Sequence, residues 1–544
     1  MKKTYPIIRY VNELPDFEKI ISGSGDKSVI KLAKDNETYI VFETDEKKVF
    51  IVVSMDHVEN FEEFQIDLLS RLRDKGYELV DRNSSKISQI YQADISLIKE
   101  IYSDKQFGQE IDNNLAKELF KDLLMEAVDM NTNDIHIAIF PSQCEIKFKV
   151  DGRTQEYQGD HRYSRLNVEK MIRAMYNTES VPGSRSTNDD FSLDLYLDSK
   201  MNVELPELKK NIEVRFQSIP IVPSSSKVTL RLAGVNSSDQ MSLEDVYEDT
   251  HVELFELISK SASGATFFTG MTGSGKTTSM HKLIDLVSEY NPGSIINSVE
   301  DPVEIVNPNV YQSQLELHEG EDKGAAYVKA LGAMLRSDID FIVQGEIRSQ
   351  EQAEVNAHAI LTGHGLFTTL HTIGAIPALM RLNELGISYF TLGSISFLNA
   401  IIYQRLYSKV CPKCSTPLSP NEDKDMIDNL LAIDPKMKIE SIRKINPKGC
   451  DHCSNKGFKG RVLCAEILVP DEHGRLLIQE GKINELQHYW LKEQNFDFLK
   501  GKYKGRSFLD HVLHKMQSGV LCPYEGQKQW RSFAFVTKEM RHGA

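Results

Sequence analysis

Apolar positions along the chain change their spacing several times, and each change predicts a different kind of element. Up to about residue 105 they fall in short runs, YIVFE (39–43) and VFIVVSM (49–55), which predict strands, with a helix around FEEFQIDLLSRLRD. No motif with chemistry falls in that region. The stretch LAKELFKDLLMEAVDM then repeats its apolar residues at three and four positions, the spacing of an amphipathic helix. DIHIAIF, CEIKFKVDG, IEVRFQSIP and KVTLRLAG alternate as half-buried strands do, up to about residue 233. A polar, small-residue segment follows, GVNSSDQMSLEDVYEDT, with the composition of a linker. From Ala265 to about 405, apolar strands alternate with helical patterns, which predicts a mostly parallel sheet covered by helices. The tail reads as largely helical, for example in GRLLIQEGKINELQHYWLKEQNF.

The expectation is therefore a multi-domain α/β chain. Its parts are an N-terminal α/β domain at 1–105, a second at 106–233, a linker at 234–249, a core at 250–410, a cysteine-bearing insert at 411–460 and a helical C-terminal region at 461–544. A length of 544 residues is too great for one hydrophobic core. Lys and Arg number 64 against 79 Asp and Glu, a formal net charge of -15. That balance weighs against nucleic acid as the main partner, because phosphate contacts need a basic surface. No apolar stretch has the length of a membrane span, and the N-terminus lacks the apolar core of a signal peptide. The expected location is the cytoplasm.

The strongest chemical signal is GMTGSGKT at 270–277, which follows the apolar run ATFFT and precedes the helix-like SMHKLIDLVSEY. Strand, glycine loop and helix in that order make a phosphate-binding loop. Gly270, Gly273 and Gly275 allow successive backbone N–H groups to face phosphates at the positive end of a helix. Lys276 would reach the β- and γ-phosphates and Thr277 would offer its hydroxyl to Mg²⁺, with Thr272, Ser274 and Thr278 completing the loop. ATP and Mg²⁺ are the expected cofactors.

Hydrolysis also needs carboxylates to orient water and hold the hydrated metal. Glu300, in SVEDPVE, and Glu346, in LRSDIDFIVQGEIRS, each close an apolar strand, whereas Asp301 and Glu304 read equally as capping or solvent-facing residues. His364 and His371 stand seven residues apart in TGHGLFTTLHT. These segments resemble the Asp box, Walker B segment and His box of the secretion ATPase superfamily, over roughly residues 264–400. That superfamily powers pilus assembly, pilus retraction, type II secretion and some type IV secretion. The resemblance implies a RecA-like ATPase core with a PAS-like second domain. It assigns the water to Glu300 and the metal side to Glu346, a division left open, and makes His371 a sensor of the γ-phosphate.

NDIHIAIF with IKFKVDG, and IEVRFQSIP with KVTLRL, resemble the family's second domain, which lends arginines to a neighbouring subunit's nucleotide. Arg215 and Arg231 occupy the matching positions, though Arg215 reads equally as a surface strand residue. The chain departs from the family at TNDDF, where PQDGR is usual, and at Lys147 and Lys149, which replace arginines and lose the planar fork. The resemblance further implies a homohexamer acting on a polytopic inner-membrane platform protein with a cytoplasmic accessory protein, peripherally associated with the inner membrane.

Cys411, Cys414, Cys450 and Cys453 form two CxxC knuckles, a pattern that suits one tetrahedral zinc. The 35 residues between the knuckles exceed the usual spacing. GFKGRVLCAEIL after the second knuckle resembles the assembly ATPases, and retraction ATPases lack this insert. The N-terminal 105 residues match no N-terminal domain of the family, which points to a divergent member such as the type IVb, bundle-forming pilus systems. Type II secretion is the alternative. A retraction motor and a DNA-translocating conjugation ATPase rank lower, and the presence of both glutamates disfavours a non-hydrolysing scaffold.

Overall fold

The computed structural model describes residues 5–539 except 9–13, 15–16, 18, 24–29, 32–37, 45–47, 80–89, 96, 99–112, 131, 141–143, 151, 158–162, 182–183, 186, 188–189, 209, 223–224, 234–241, 316–321, 492–497, 499–505 and 530. Asn188 and Asp189 of TNDDF and the first eight linker positions thus lie outside the described residues. The protein is mixed α/β and divides into two compact units, residues 1–150 with 154–236, and 151–153 with 237–544.

The first unit contains two six-stranded sheets. In the N-terminal one, Tyr39–Glu43 pairs antiparallel with Lys48–Ser54, and Val58–Asp74 forms the helix. The second sheet runs Arg153–Glu156, Cys144–Val150, Thr132–Ile139, Ser225–Ala233, Lys210–Ile221, Leu197–Leu205. Alternation along these strands sends Ile135, Ile137, Phe148, Val214, Phe216 and Leu230 into a core shared with helices Asn113–Asp129 and Arg165–Glu179. The intervening residues form the other face, and there Arg215 lies directly opposite Arg231.

The second unit is built on a seven-stranded sheet. Its order is Tyr311–Gln314, Ile296–Glu300, Phe341–Gln344, Gly365–Leu370, Gly264–Thr269, Leu398–Val410, Phe458–Leu468. All neighbours are parallel except the last pair. Gly264–Thr269 lies inside the sheet and is buried at every position, which explains its continuous apolar pattern. The boundary drawn at residues 460/461 falls within the strand Phe458–Leu468, so the region from 461 onward is not wholly helical. Val462, Leu463, Cys464 and Ala465 are all buried, and a strand covered on both faces carries no alternation to distinguish it from a helix. The end of the linker also differs from its polar appearance: Leu243 and Tyr247 are buried against Phe255 and the core.

A half-buried carboxylate and a clasp fix the helix Phe508–Gln517 to this sheet. Glu466 accepts from the backbone N–H of Phe508 at 2.9 Å and of Ala375 at 3.3 Å, and so sits at the positive ends of two helices. Glu248 contacts Lys515, His511 (3.4 Å) and His514 (3.6 Å). Burial alone would raise the Glu248 pKa, but these contacts outweigh it and hold the carboxyl well below its usual range. The Ala465 N–H donates to His511 Nδ1 at 2.9 Å, which assigns the ring proton to Nε2, facing Glu248.

Burial lowers the His511 pKa from 6.5 to about 4. Between those values the unfolded chain binds a proton that the folded chain refuses, so this contribution is complete above pH 6.5 and is lost as pH falls towards 4. The urea midpoint of the wild type should drop across that window. It should drop less in His511→Asn, whose Oδ1 can accept from Ala465. Equal pH slopes in the two proteins would exclude His511 as the source.

Candidate functional site

Residues 270–275 connect the strand Gly264–Thr269 to the helix Lys276–Tyr290. The turn holds all three of its glycines at positive φ, Gly273 at 76°. Gly270 has φ 145° and no room for a Cβ, which would stand 2.4 Å from the carbonyl oxygen of Gln404. Gly275, the N-cap, has φ 85°. Thr272 and Gly273 are exposed, Ser274 is buried, and Thr277 and Thr278 are half-buried on the first helical turn.

Lys276 is only 7% exposed. Its Nζ donates to the carbonyls of Gly270 (2.8 Å) and Met271 (3.2 Å), and among the described residues no carboxylate pairs with it. Burial lowers its pKa to about 8, against the opposing fields of Glu346 and Glu304. A buried ammonium at a helix N-terminus, held only by loop carbonyls, lacks a counter-anion, and a phosphate supplies one.

The carboxylates meet different partners. Glu300 is buried at the end of Ile296–Glu300, where it accepts from Ser298 Oγ (2.7 Å) and Gln312 Nε2 (3.0 Å). Burial raises its pKa. The Thr277 hydroxyl donates to Glu304, at 3.0 Å, and Glu304, which reads from sequence equally as a capping or a solvent-facing residue, is exposed. Asp301 pairs with Lys323. Glu346 pairs with Arg348 at 2.7 Å and faces His371 Nε2 at 3.6 Å. His371 has a lowered pKa, first through burial and then through the Lys276 charge, so it is neutral at pH 7. His364 turns back to the end of the preceding helix Gln350–Leu361, with Nδ1 3.0 Å from the Ala359 carbonyl. Gln312 and Gln404 are contact residues that no motif singled out.

Arg215 and Arg231 belong to the first unit, whereas the phosphate loop and its carboxylates belong to the second. Arg231 Nε lies 2.8 Å from Asp134, which Lys149 also approaches at 3.6 Å, and Arg215 Nε lies 3.7 Å from Glu213.

The four knuckle cysteines converge, with all sulfurs within 4.8 Å of one another. Three Sγ–Sγ distances, Cys411–Cys450, Cys414–Cys453 and Cys450–Cys453, are 3.8 Å. A tetrahedron with zinc–sulfur bonds of about 2.3 Å has edges of about 3.8 Å, so the cluster fits that ion. The long spacing is explained by the antiparallel strands Leu398–Val410 and Phe458–Leu468: Val410 pairs with Phe458, so one knuckle leaves the hairpin where the other enters it. Backbone N–H groups of Cys450 and Gly457 donate to Cys453 Sγ at 3.2 and 3.1 Å.

A glycine loop between the end of an inner strand of a parallel sheet and the N-terminus of a helix, with carboxylates after two further strands of that sheet, defines a phosphate-binding-loop core. The chain belongs to the type II/IV secretion system protein family, whose pattern matches residues 109–507. It is 28% identical over 433 residues to the type IV pilus assembly ATPase PilB of Thermus thermophilus, covering 77% of this chain and 46% of that protein. It is 27% identical over 420 residues to the putative type II secretion system protein E of Escherichia coli, covering 75% and 77%. For PilB of Pseudomonas aeruginosa the identity is 29% over 386 residues, covering 71% and 64%. The chain thus spans about half the length of the Thermus relative. Among solved structures, the Legionella pneumophila ATPase DotB shares the fold, with a TM-score of 0.51 and 18% identity over 76% of this chain and 95% of that one.

Proposed function

We propose that the chain hydrolyses ATP and, as a ring of six copies, uses the energy to drive type IV pilus assembly. Its partners in this reading are a polytopic inner-membrane platform protein and a cytoplasmic accessory protein, and it works in the cytoplasm against the inner membrane. The observation that carries the proposal is the buried Lys276, poised over a glycine loop at a helix N-terminus with Glu304 and Glu346 in its field. The names of the Thermus and Pseudomonas relatives carry pilus assembly, and type II secretion, which the E. coli relative's name carries, is the alternative. Among the described residues no helix is long and apolar enough to cross a membrane.

Within the site, Lys276 and the backbone N–H groups of 273–278 would hold the β- and γ-phosphates. Glu300 would orient the attacking water, fixed in place by Ser298 and Gln312. Thr277, Glu304 and Glu346 offer the hard oxygen donors that suit Mg²⁺, which would neutralise charge on the phosphoryl oxygens. His371, neutral and next to Glu346, would report the γ-phosphate. Arg215 and Arg231 of a neighbouring copy would complete the site. The four cysteines would hold zinc, which ties the insert to the sheet that carries the phosphate loop.

Two measurements test this. Lys276→Ala should reduce ATP turnover by about a hundredfold or more while the fold survives, and Glu300→Gln or Glu346→Gln should do the same yet still bind ATP. Near-normal turnover in the lysine variant would overturn the assignment. Metal analysis of the purified protein should find about one zinc per chain, lost in the Cys411→Ser/Cys450→Ser double variant. Unchanged zinc in that variant would remove the four-cysteine site.

A further inference from the structure

One residue of the strand next to the phosphate loop supports it from below. Gln404 is fully buried. Its backbone carbonyl closes the space beside Gly270, and its Nε2 donates to the carbonyl of Ser274 at 2.8 Å. Peptide units are planar and trans, so a carbonyl and the following N–H point in opposite directions. By holding the Ser274 carbonyl inward, Gln404 turns the Gly275 N–H away from itself, and that N–H is one of the donors a phosphate would meet.

Gln404 is itself held. Its Oε1 accepts from the Tyr247 hydroxyl at 2.7 Å, and that hydroxyl lies 2.8 Å from Ser279 Oγ on the helix that follows the loop. Tyr247 is buried near the end of the 234–249 segment, with its ring 4.8 Å from Phe255 and 5.9 Å from His251. The next residue, Glu248, is clasped by Lys515, His511 and His514 of the C-terminal helix. Two consecutive residues thus pin this segment, one beneath the phosphate loop and one on the helix Phe508–Gln517.

We propose that Tyr247 and Gln404 are positioning residues that set the nucleotide affinity of the phosphate loop and tie it to the end of the linker. The proposal rests on the nucleotide-binding reading given above. Removing the Tyr247 hydroxyl leaves Gln404 Oε1 buried without a donor. The amide then turns to find one, and Nε2 leaves the Ser274 carbonyl. Tyr247→Phe preserves the ring and its packing, so the change falls on the loop and not on the core.

The test is calorimetric titration with Mg-ATP of four chains: wild type, Tyr247→Phe, Gln404→Leu and the double variant, each with its thermal midpoint recorded. Tyr247→Phe should weaken ATP binding by about two- to tenfold. In the Gln404→Leu background the same change should have almost no further effect, because the hydroxyl no longer has an amide to hold. In turnover assays the loss should appear as a raised KM for ATP, with kcat at saturation within about twofold of wild type. An unaltered ATP affinity in Tyr247→Phe, or an equal loss in both backgrounds, overturns the coupling. A wild-type chain that takes up no ATP overturns the nucleotide reading instead.

Discussion

A charged amine removed from water needs an anion, and Lys276 has only carbonyl dipoles. Burial pulls its pKa to about 8, and two loop carbonyls supply part of the solvation that it lost. The rest of the second unit keeps the amine in that position. The inner strand Gly264–Thr269 delivers the loop between two neighbours, and the close approach of the Gln404 carbonyl to Gly270 admits no side chain there. The helix Lys276–Tyr290 then points its positive end at the same place. A phosphate bound there meets an ammonium already desolvated in folding, a helix terminus and backbone donors.

The same sheet anchors parts of the chain that carry no nucleotide chemistry. The strand Leu398–Val410 supplies Gln404 to the loop and, at its far end, leads into Cys411. Its partner Phe458–Leu468 leaves the second knuckle and carries Glu466 to the N-termini of two helices. The cysteine cluster is thus the closure of a hairpin whose strands continue to the phosphate loop and the C-terminal helix. Asp423 reinforces the insert by accepting from Lys444, Tyr524 and the backbone of Ser419, each at 2.7 Å.

What the sequence reveals depends on how strictly chemistry dictates residue type. The glycines of the loop are forced by positive φ and close contact, and the paired cysteines by tetrahedral sulfur geometry, so both can be read from spacing alone. The direction of an acidic side chain is not encoded in spacing. Glu300, Asp301 and Glu304 are adjacent in the sequence, yet one meets Gln312, one Lys323 and one Thr277, according to the turn that the backbone makes after the strand. Gln404 and Tyr247 escaped notice because a single polar residue in an apolar strand, or an aromatic one in a polar segment, belongs to no pattern. Their pairing is created only when residues 157 positions apart in the chain are brought together. The strand Phe458–Leu468 shows no strand pattern for a related reason, since burial on both faces erases the period.

The central claim is that a nucleotide held by Lys276 in one copy is completed by Arg215 of another. Mixing two inactive chains measures this most directly. Arg215→Ala and Lys276→Ala rings, each nearly inactive alone, should regain part of the wild-type ATP turnover when co-assembled, because junctions with an intact loop and an intact arginine reappear. Recovery should rise and fall with the mixing ratio and be greatest when both chains are present in comparable amounts. No recovery in rings verified to contain both chains would contradict the claim.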